Sequence, residues 1–398
     1  MPHGYKKLRL IILGMMGRCP FGGQTWLYLN WLRGLAASGH EVWYVEDDSV
    51  WPYDPKLNMI TDNARYALGH IESSLDHIGL SGLWAFRLAG RKNACWNLTD
   101  SELNDLYKSA DALLNIVGAT ELREEQLASP FRVYVETDPV TAELRLAQGD
   151  TKTRRAFSAH NAFVTYGENY NAFDCGVPIG PLGEFFPTVH KTRQPIDLEL
   201  WPMAFDPAAR YFTTIGNYKQ SGSDVTYNGQ TYLWSKHHEW EKFIDLPSRT
   251  SQPLQLAMNV TDTADRTLLE KHGWGLRSAV EMSLDVFGAY PEFFRWSRGQ
   301  FTVAKDQNVR LRSGWFSERD ACYLASGKPV VSQDTGFSNV LPTGQGLFGF
   351  TTLEQAVTAI DQINSDYKRH CEAARDFANE YLDAARIASK MLTDLGLT

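Results

Sequence analysis

Short apolar runs alternate with segments of helical periodicity in the first part of the chain. Residues 8–14 are almost entirely apolar, which predicts a strand buried on both faces of a parallel sheet. Residues 25–38 are apolar nearly all round a helix, and Gly39 follows as a left-handed C-terminal cap. Residues 41–46 form the next predicted strand. This βαβ order, with the usual right-handed crossover, predicts a doubly wound α/β domain.

The same alternation continues in two blocks that are separated by an irregular segment. Further buried strands are predicted at residues 110–117, 131–135 and 162–166. Residues 178–202 contain many turn formers and little periodicity, so we expect a hinge between two domains there. The second block is predicted to contain strands at 211–215, 254–260, 274–279, 301–304 and 329–332, and helices at 236–243, 266–272, 291–298 and 317–326.

The chain ends in two predicted helical segments. Apolar positions recur at helical spacing within residues 353–363 and again within 367–392. Small residues on the second face favour packing against the protein's own domains over a coiled coil with a partner. The pattern predicts domains at residues 1–190 and 191–375, and a C-terminal helix at 376–398 that returns towards the first domain.

The composition is that of a globular protein with room for two domains. The 398 residues are 43% hydrophobic and 22% charged, which excludes extensive disorder. The net charge is −8 and there is no long basic run, so non-specific nucleic-acid binding is not expected.

Cysteine usage and the absence of long apolar stretches predict a cytoplasmic protein. The apolar run 10–16 follows basic residues but is short for a signal peptide and lacks a cleavage site. No stretch approaches the ~20 apolar residues of a transmembrane segment. The odd cysteine count, with no Cys-x-x-Cys, disfavours a disulfide framework or a zinc site and fits a reducing compartment.

Loops that follow strands are where open α/β sheets bind ligands, close to helix N-termini. In the first such loop, Gly22 and Gly23 precede a helix and let backbone N–H groups approach a ligand closely. A turn that only sets the start of the helix explains the pair equally well. The dinucleotide pattern GxGxxG is missing from this loop, and the P-loop pattern GxxxxGK[ST] is missing from the chain, so both classes are disfavoured.

The stretch 310–331 carries the strongest chemical signal. Ser317 stands at the expected N-cap, and Asp320 three residues later forms a near-capping box. The free N–H groups and dipole of this helix can bind phosphate, with Arg310 or Arg312 adding charge-assisted bonds. For Asp320, hydrogen bonding to ribose hydroxyls and helix capping remain equally good explanations.

The strand after that helix ends in a second polar loop. Asp334, Thr335 and Gly336 follow it, and a carboxylate beside a glycine suits hydrogen bonding to sugar hydroxyls. An ordinary Asx turn is the alternative. Lys305 and Asp306 begin the loop that leads to the phosphate-binding helix and are candidates for positioning it.

These segments resemble nucleotide-sugar-dependent glycosyltransferases of the GT-B architecture. GGQTWLYLNWLRGLAASGHEVWYV, residues 22–45, is similar to the amino-terminal GG…L…GHEV segment of large bacterial GT-B families. LASGKPVVSQDTG, residues 324–336, is similar to their AxGxPVV and the acidic, glycine-containing donor loop after it. Counted from Gly314, GWFSERD parallels the GWxS…E part of the plant-type donor signature, which places Asp320 at the ribose-binding acid.

The resemblance implies roles for the matching residues. Gly216 and Asn217 would contact the donor diphosphate, and Trp274 and Leu276 would hold the base, although Trp274 is equally well explained as a core residue. The phosphates would face Arg312, Ser313 and Ser317, the sugar would face Asp334, Thr335 and Gly336, and Gly22 and Gly23 would close on the donor from the first domain.

The resemblance also implies the fold and the reaction. Two Rossmann-like domains would face each other across a cleft, the first binding the acceptor and the second the nucleotide sugar. A sugar would pass from a nucleoside diphosphate sugar, with UDP-sugars favoured, to a hydroxyl or amine of a small-molecule, lipid-linked or polysaccharide acceptor. No cofactor and no divalent metal are expected, and the chain has no DxD motif.

An acceptor hydroxyl needs a general base, and strand-end acids of the first domain are the candidates. Glu136 and Asp138 are the first choice, although loop acids of this kind more often are solvated or cap helices. Glu46, Asp47 and Asp48 are second choices at another strand end. Two alternative functions remain open: a sugar-nucleotide epimerase of the same architecture, and a non-catalytic sugar-nucleotide-binding protein.

Overall fold

Two mostly parallel sheets and their helices form the structure, a computed structural model that describes residues 6–398. The strands in chain order are β1 (Arg9–Leu13), β2 (Glu41–Asp48), β3 (Tyr53–Asp54), β4 (Met59–Ile60), β5 (Trp84–Leu88), β6 (Cys95–Trp96), β7 (Ala112–Ile116), β8 (Arg132–Glu136), β9 (Ala162–Thr165), β10 (Val189–Lys191), β11 (Phe212–Asn217), β12 (Val225–Tyr227), β13 (Gln230–Tyr232), β14 (Leu254–Asn259), β15 (Gly275–Arg277), β16 (Gly299–Thr302), β17 (Val330–Gln333) and β18 (Leu347–Phe350).

Helices connect most of these strands. In chain order they are α1 (Gly22–Ala37), α2 (Arg65–His77), α3 (Asp100–Ser109), α4 (Glu124–Leu127), α5 (Thr141–Ala147), α6 (Thr151–Ser158), α7 (His237–Lys242), α8 (Leu246–Arg249), α9 (Thr263–Lys271), α10 (Val280–Leu284), α11 (Ala289–Trp296), α12 (Asp306–Leu311), α13 (Glu318–Ala325), α14 (Leu353–Ser365), α15 (Tyr367–Tyr381) and α16 (Ala384–Asp394).

The strand order of each sheet confirms the predicted doubly wound α/β fold. The first sheet runs β10-β9-β8-β7-β1-β2-β5-β6 and is parallel except for the edge strand β6. The second runs β15-β14-β11-β16-β17-β18 and is parallel throughout. In both sheets the order reverses beside the first strand of the domain, and sheets of this kind bind ligands at the carboxyl ends of the strands there.

Helix α1 is apolar nearly all round because it packs between the two domains. Trp26, Tyr28 and Trp31 are all buried. The indole N–H of Trp26 donates to the carbonyl oxygen of Val286 in the second domain at 2.9 Å. Its ring also meets that of Trp201 edge-on, with centroids 4.9 Å apart. The core is therefore continuous across the cleft floor, which positions the two sheets relative to each other.

The C-terminal helix returns to the first domain, as the sequence pattern predicts. At Gly34 of α1, an added Cβ would lie 2.5 Å from the carbonyl oxygen of Ala384 in α16. The hydroxyl oxygens of Ser38 and Ser389 lie 2.9 Å apart on the same interface. Small residues on both helices thus allow the close approach.

The single helix predicted for residues 367–392 is wrong, because α15 and α16 are separate helices. Ile196 pairs with the break between them: its N–H donates to Leu382 at 2.7 Å, and it accepts from Ala384 at 3.0 Å. The Asp383 side chain caps α16 by accepting from the N–H of Arg386 at 2.8 Å. The periodic pattern of apolar residues does not show this break, because the break depends on backbone pairing with a segment that is distant in sequence.

Several further strands escape the hydrophobic pattern, among them β10 and β5. Strand β10 lies inside the predicted hinge and pairs with β9 at the sheet edge. Strand β5 is buried along its whole length although it contains Arg87, whose guanidinium is neutralised by Asp47 on β2. Because a charged residue interrupts this short apolar run, the hydrophobic pattern does not predict the buried strand. Within residues 6–398, no helix combines the length and the apolar character needed to cross a bilayer.

Candidate functional site

A cavity of about 540 Å³ lies between the two domains, at the carboxyl ends of both sheets. Loops that follow β1, β8 and β9 form one wall, and loops that follow β11, β14 and β16 form the other. The first turns of α1 and α13 face the same space. The polar lining includes Gln24, Asp138, Tyr166, Gln194, Asn217, Gln220, Lys236, Asn259, Ser283, Lys305, Ser317, Glu318 and Arg319.

Two lysines from the second domain bring positive charge into this cavity. The Lys236 ammonium donates to the carbonyl oxygen of Val303 at 3.0 Å and lies 5.0 Å from the ring centroid of Trp315. Burial, followed by the charges of Arg319 and Lys305, lowers the pKa of Lys236 well below its ordinary value. Burial also lowers the pKa of Lys305, against the attraction of Asp138. An anion in the cavity would relieve both effects.

Arg319 adds a third cation at the start of α13. Its Nε has no hydrogen-bond partner, and its guanidinium forms no ion pair with any residue of the described chain. Its Nη1 would lie 3.4 Å from a Cβ added to Gly216, at the end of β11. Ser317 caps the helix by accepting from the Arg319 N–H at 3.3 Å. The helix dipole and three cations therefore converge on one part of the cavity, where an anionic ligand would be stabilised.

Glu318, the first residue of α13, is a buried acid in the same cavity. Its Oε1 accepts from the side-chain amide of Asn30 on α1 at 3.2 Å, and its Oε2 has no partner. Burial raises the pKa of Glu318 to about 8, against the lowering effect of the Asn30 hydrogen bond. Glu318 is therefore mostly protonated and neutral at pH 7.

Replacing Glu318 with glutamine should raise the free energy of unfolding above that of the wild type, and this difference should grow as pH rises from 5 to 8. The folded protein keeps the Glu318 proton up to about pH 8, whereas the unfolded chain loses it near pH 4.5. The wild-type free energy of unfolding therefore falls with pH across this window, and Glu318→Gln removes that loss. We expect a gain of about 1–3 kcal/mol at pH 8. Melting temperatures of both proteins at pH 5, 6.5 and 8 measure it, and a gap that does not change with pH would contradict it.

The cavity gathers some of the residues singled out from the sequence and leaves others outside. Gly23, Asp138, Gly216, Asn217 and Ser317 line it. Lys305, which was expected to position the phosphate loop, lines it directly. The residues that lie outside its lining are Gly22, Glu136, Trp274, Leu276, Arg310, Arg312, Ser313, Gly314, Asp320, Asp334, Thr335 and Gly336.

Gly22 lies at the N-terminus of α1, where the first domain meets the second. A Cβ at this position would lie 2.5 Å from Cδ2 of Tyr290 on α11. We expect Gly22→Val to force the two domains apart at the cavity. Small-angle X-ray scattering should then show a larger radius of gyration than for the wild type. The variant Gly69→Val, at a position with nothing within 4 Å, is the matched control. Equal radii for all three proteins would contradict the tight contact.

The arginines expected to bind phosphate are engaged elsewhere. Arg310 donates to the carbonyl oxygen of Thr231 at 2.7 Å and pairs with Asp306 at 3.3 Å. Arg312 pairs with Asp174 at 2.6 Å and with Asp334 at 3.4 Å. Arg312 ends α12 in the left-handed conformation, with φ of 48°. The sequence contains no sign of this conformation.

The expected sugar-binding loop is closely packed against the first domain. A Cβ on Gly336 would lie 2.7 Å from the side-chain nitrogen of Asn169, and Gly314 approaches the Asn169 backbone similarly. Thr335 donates to the carbonyl oxygen of Trp315 at 2.6 Å. Ser313 donates to the side-chain oxygen of Asn308 at 2.7 Å. The loop therefore joins the domains beside the cavity.

The residues expected to hold the base and ribose contact other parts of the protein in this structure. Trp274 is buried, and its indole N–H donates to the carbonyl oxygen of Ile244 at 2.8 Å. Leu276 lies on the edge strand β15, partly buried against the same core. Asp320 is buried behind the cavity wall and accepts from the Ser332 hydroxyl at 2.8 Å.

The two preferred candidates for the general base, Glu136 and Asp138, have different surroundings. Glu136 is buried and accepts from the Thr165 hydroxyl at 2.9 Å. Burial and then the adjacent Glu143 raise the pKa of Glu136 well above its ordinary value. Asp138 lines the cavity, forms an ion pair with Lys305 through Oδ2, and has no partner at Oδ1. Asp138 alone of the two is placed to reach a ligand in the cavity.

The second-choice acids belong to buried ion-pair clusters. Glu46 accepts from the Arg18 backbone N–H at 3.1 Å and pairs with the Arg18 side chain at 3.4 Å, and Asp48 pairs with Arg18 at 3.1 Å. Asp47 is fully buried and pairs with Arg87 at 2.6 Å. These carboxylates order the loops after β1 and β2.

Sequence reasoning missed several residues of the site, among them the charged residues Lys236, Glu318 and Arg319. Glu318 and Arg319 lie inside the quoted stretch GWFSERD, directly after the N-cap Ser317, where side chains of the first turn border a bound anion. That position was a usable signal. Lys236 precedes a short helix that is distant in sequence from every motif, so only the fold places it in the cavity.

Comparison with known proteins gives structural neighbours only. No protein-family model matches the sequence, and no curated protein matches it. An alpha-glucosyltransferase in complex with UDP and a 13-mer DNA is 13% identical, with a TM-score of 0.61 over 98% of this chain and 99% of that chain. Anabaena HepE in complex with UDP-glucose is 12% identical, with a TM-score of 0.58 over 98% and 100%.

A third neighbour has the same two-domain shape. Sucrose-phosphate synthase from Thermosynechococcus elongatus is 10% identical, with a TM-score of 0.54 over 98% of each chain. Each match extends over both domains of this chain. The chain therefore has the GT-B fold, in which two Rossmann-like domains face each other across a cleft.

Proposed function

We propose that this protein is a nucleotide-sugar-dependent glycosyltransferase. The observation that carries the proposal is the convergence of Lys236, Lys305, Arg319 and the α13 N-terminus on one interdomain cavity of a GT-B fold. These groups replace Arg310 and Arg312 in our proposal for the diphosphate site. Gly23, Gly216 and Asn217 offer backbone groups beside it.

The chemistry follows from charge. Breaking the sugar–phosphate bond leaves negative charge on the nucleoside diphosphate and develops positive charge on the sugar ring. Fixed cations and helix N–H groups stabilise the leaving diphosphate, and such electrostatic stabilisation is usually what accelerates a reaction of this kind most. We propose that the reaction needs no divalent metal and no cofactor, because three side-chain cations supply the charge. Activity that persists in EDTA would support this, and activity restored only by added Mg²⁺ would contradict it.

We propose a UDP-sugar as the donor, because the neighbouring alpha-glucosyltransferase and HepE contain UDP or UDP-glucose. The domain of residues 191–375 would bind the donor, and the domain of residues 1–190 the acceptor. The acceptor would offer a hydroxyl or an amine on a small molecule, a lipid-linked sugar or a polysaccharide. We place the reaction in the cytoplasm.

We propose Asp138 as the general base. Its Oδ1 is free to accept a proton from an acceptor hydroxyl, and its Oδ2 is held by Lys305. When a diphosphate draws Lys305 away, the carboxylate gains freedom to turn towards the acceptor. Glu136 is buried outside the cavity lining, so we do not propose it as the base.

A two-step assay tests the proposed function. Thermal shifts with UDP-, GDP-, ADP- and TDP-sugars should show stabilisation by one base class, since a ligand that binds the folded state raises its stability. Turnover of that donor, with and without pooled acceptors, is then followed by NMR. Release of the diphosphate with transfer supports a glycosyltransferase. An isomerised donor would indicate an epimerase, tight binding without turnover a binding protein, and no shift at all would overturn the proposal.

A further inference from the structure

Three polar side chains form the floor of the cavity, next to α1. We call Tyr166, Gln194 and Glu318 the floor cluster; they come from the end of β9, the segment after β10, and the first turn of α13. All three line the cavity, and Tyr166 and Gln194 are almost fully buried. Burial, followed by the charge of Glu318, raises the pKa of Tyr166 well above its ordinary value, so the phenol keeps its proton.

The side chains of the floor cluster form hydrogen bonds within the protein, but some of their polar atoms have no partner. The side-chain amide of Gln194 donates to the carbonyl oxygen of Phe316, and the Tyr166 hydroxyl accepts from the Trp31 indole at 2.9 Å. The Oε1 of Gln194 and the Oε2 of Glu318 have no partner. A buried polar atom without a partner costs about 1–3 kcal/mol, so the two on this surface call for a ligand that supplies a donor to Gln194 and an acceptor to the protonated Glu318 carboxyl.

The three cations of the cavity do not satisfy these atoms. Within the described chain, Lys236 donates to Val303, Lys305 pairs with Asp138, and Arg319 forms no ion pair. The cavity is thus divided into a cationic part, suited to a diphosphate, and an uncharged floor that offers one open acceptor on Gln194 and two donors, the protonated Glu318 carboxyl and the Tyr166 phenol.

We propose that the floor cluster binds the ring of an uncharged hexose, the transferred sugar of the donor, through its hydroxyl groups. This inference rests on the proposed function. Adjacent ring hydroxyls each carry a donor and an acceptor, which complement Gln194 Oε1, the Glu318 carboxyl and the Tyr166 hydroxyl. The loop of Asp334 is packed away from the cavity, so it does not compete for this role.

The same geometry selects against acidic sugars. A ring carboxylate at the floor would meet the open oxygen of Gln194, and no cation is bonded to the floor cluster to balance its charge, so burying it there is unfavourable. An uncharged hexose should therefore be preferred over a uronic acid on the same nucleotide.

Calorimetry tests the subsite. Affinities are measured at pH 7 for the nucleoside diphosphate whose base binds best, then for its glucose, galactose, N-acetylglucosamine and glucuronic acid derivatives. We expect at least one neutral sugar to bind about 10-fold or more tighter than the bare diphosphate, from one or two hydrogen bonds. The glucuronic acid derivative should bind no tighter than the diphosphate.

Variants test whether the floor cluster provides the added affinity for the neutral sugar. Gln194→Leu and Glu318→Leu should each lose most of the gain from the neutral sugar while keeping the wild-type affinity for the bare diphosphate, which also shows that they fold. Glu318→Gln, which keeps a neutral hydrogen-bonding group, should retain the gain. Gln255→Leu, a comparable change on β14 outside the cavity, is the matched control and should behave as the wild type.

The outcomes separate the two proposals. If no nucleoside diphosphate binds, the proposed function fails and the subsite fails with it. If a diphosphate binds but no neutral sugar adds affinity, or the uronic acid is preferred, the subsite is overturned and the proposed function stands. If the leucine variants keep the full gain, the sugar is bound elsewhere in the cavity and the floor cluster is overturned as its site.

Discussion

Replacing Arg319 with methionine is expected to weaken nucleoside diphosphate binding about 10- to 100-fold, from the loss of charged hydrogen bonds of about 1.5–3 kcal/mol. The rate of sugar transfer should fall further, about 10²–10³-fold, because charge on the diphosphate grows as the bond breaks. The folded protein should be as stable as the wild type or more so, since Arg319 has no ion-pair partner among the described residues. Calorimetry, turnover and melting temperature together measure these effects.

A lysine outside the cavity supplies the control. Lys390→Met also removes one positive charge, but Lys390 is an exposed side chain on α16 that pairs only with Asp394 within the described chain. Its loss should leave diphosphate affinity unchanged. If both variants weaken binding equally, the effect is one of net charge, and Arg319 does not contact the diphosphate.

Replacing Asp47 with alanine should cause the largest loss of stability. The fully buried carboxylate accepts from Arg87 at 2.6 Å, from Arg123 at 2.5 Å, from Tyr107 at 2.9 Å and from Gln126. Its removal leaves the buried guanidinium of Arg87 without its main carboxylate partner. Breaking a buried ion pair in this way costs about 3–5 kcal/mol. The free energy of unfolding from urea denaturation measures the loss.

An exposed acid provides the comparison for Asp47. Asp105→Ala removes a carboxylate that pairs with Lys108 across one helical turn, where both side chains are largely exposed. Exposed pairs of this kind contribute well under ~1 kcal/mol. A loss for Asp47→Ala no larger than for Asp105→Ala would show that water solvates Arg87 and would contradict the buried cluster.

The fold could be predicted from local patterns because parallel strands are buried on both faces. The runs at β1, β8 and β11 stand out as continuous apolar segments, and Gly39 marks the end of α1. Strand β5 could not be found in this way, because its burial depends on a distant partner, Asp47, that neutralises Arg87. The break between α15 and α16 similarly depends on backbone pairing with Ile196.

The candidate site was harder to predict, because closeness in sequence to Ser317 does not determine which way a side chain points. Arg312 lies five residues before the N-cap Ser317, yet a left-handed backbone turns it towards Asp174. Arg319 lies just after the cap, and its guanidinium lies beside the end of β11. Lys236 reaches the same place from a separate α/β unit. Only the folding of the second domain determines which of its cations meet.

A crystal structure of the protein with bound UDP-glucose, or with the nucleotide sugar that gives the largest thermal shift, tests the central claim most directly. The account predicts the diphosphate in the interdomain cavity, with its oxygens at about 3 Å from Arg319 and from Lys236 or Lys305. A diphosphate bound outside the cavity, or held by Arg310 and Arg312 instead, would contradict it.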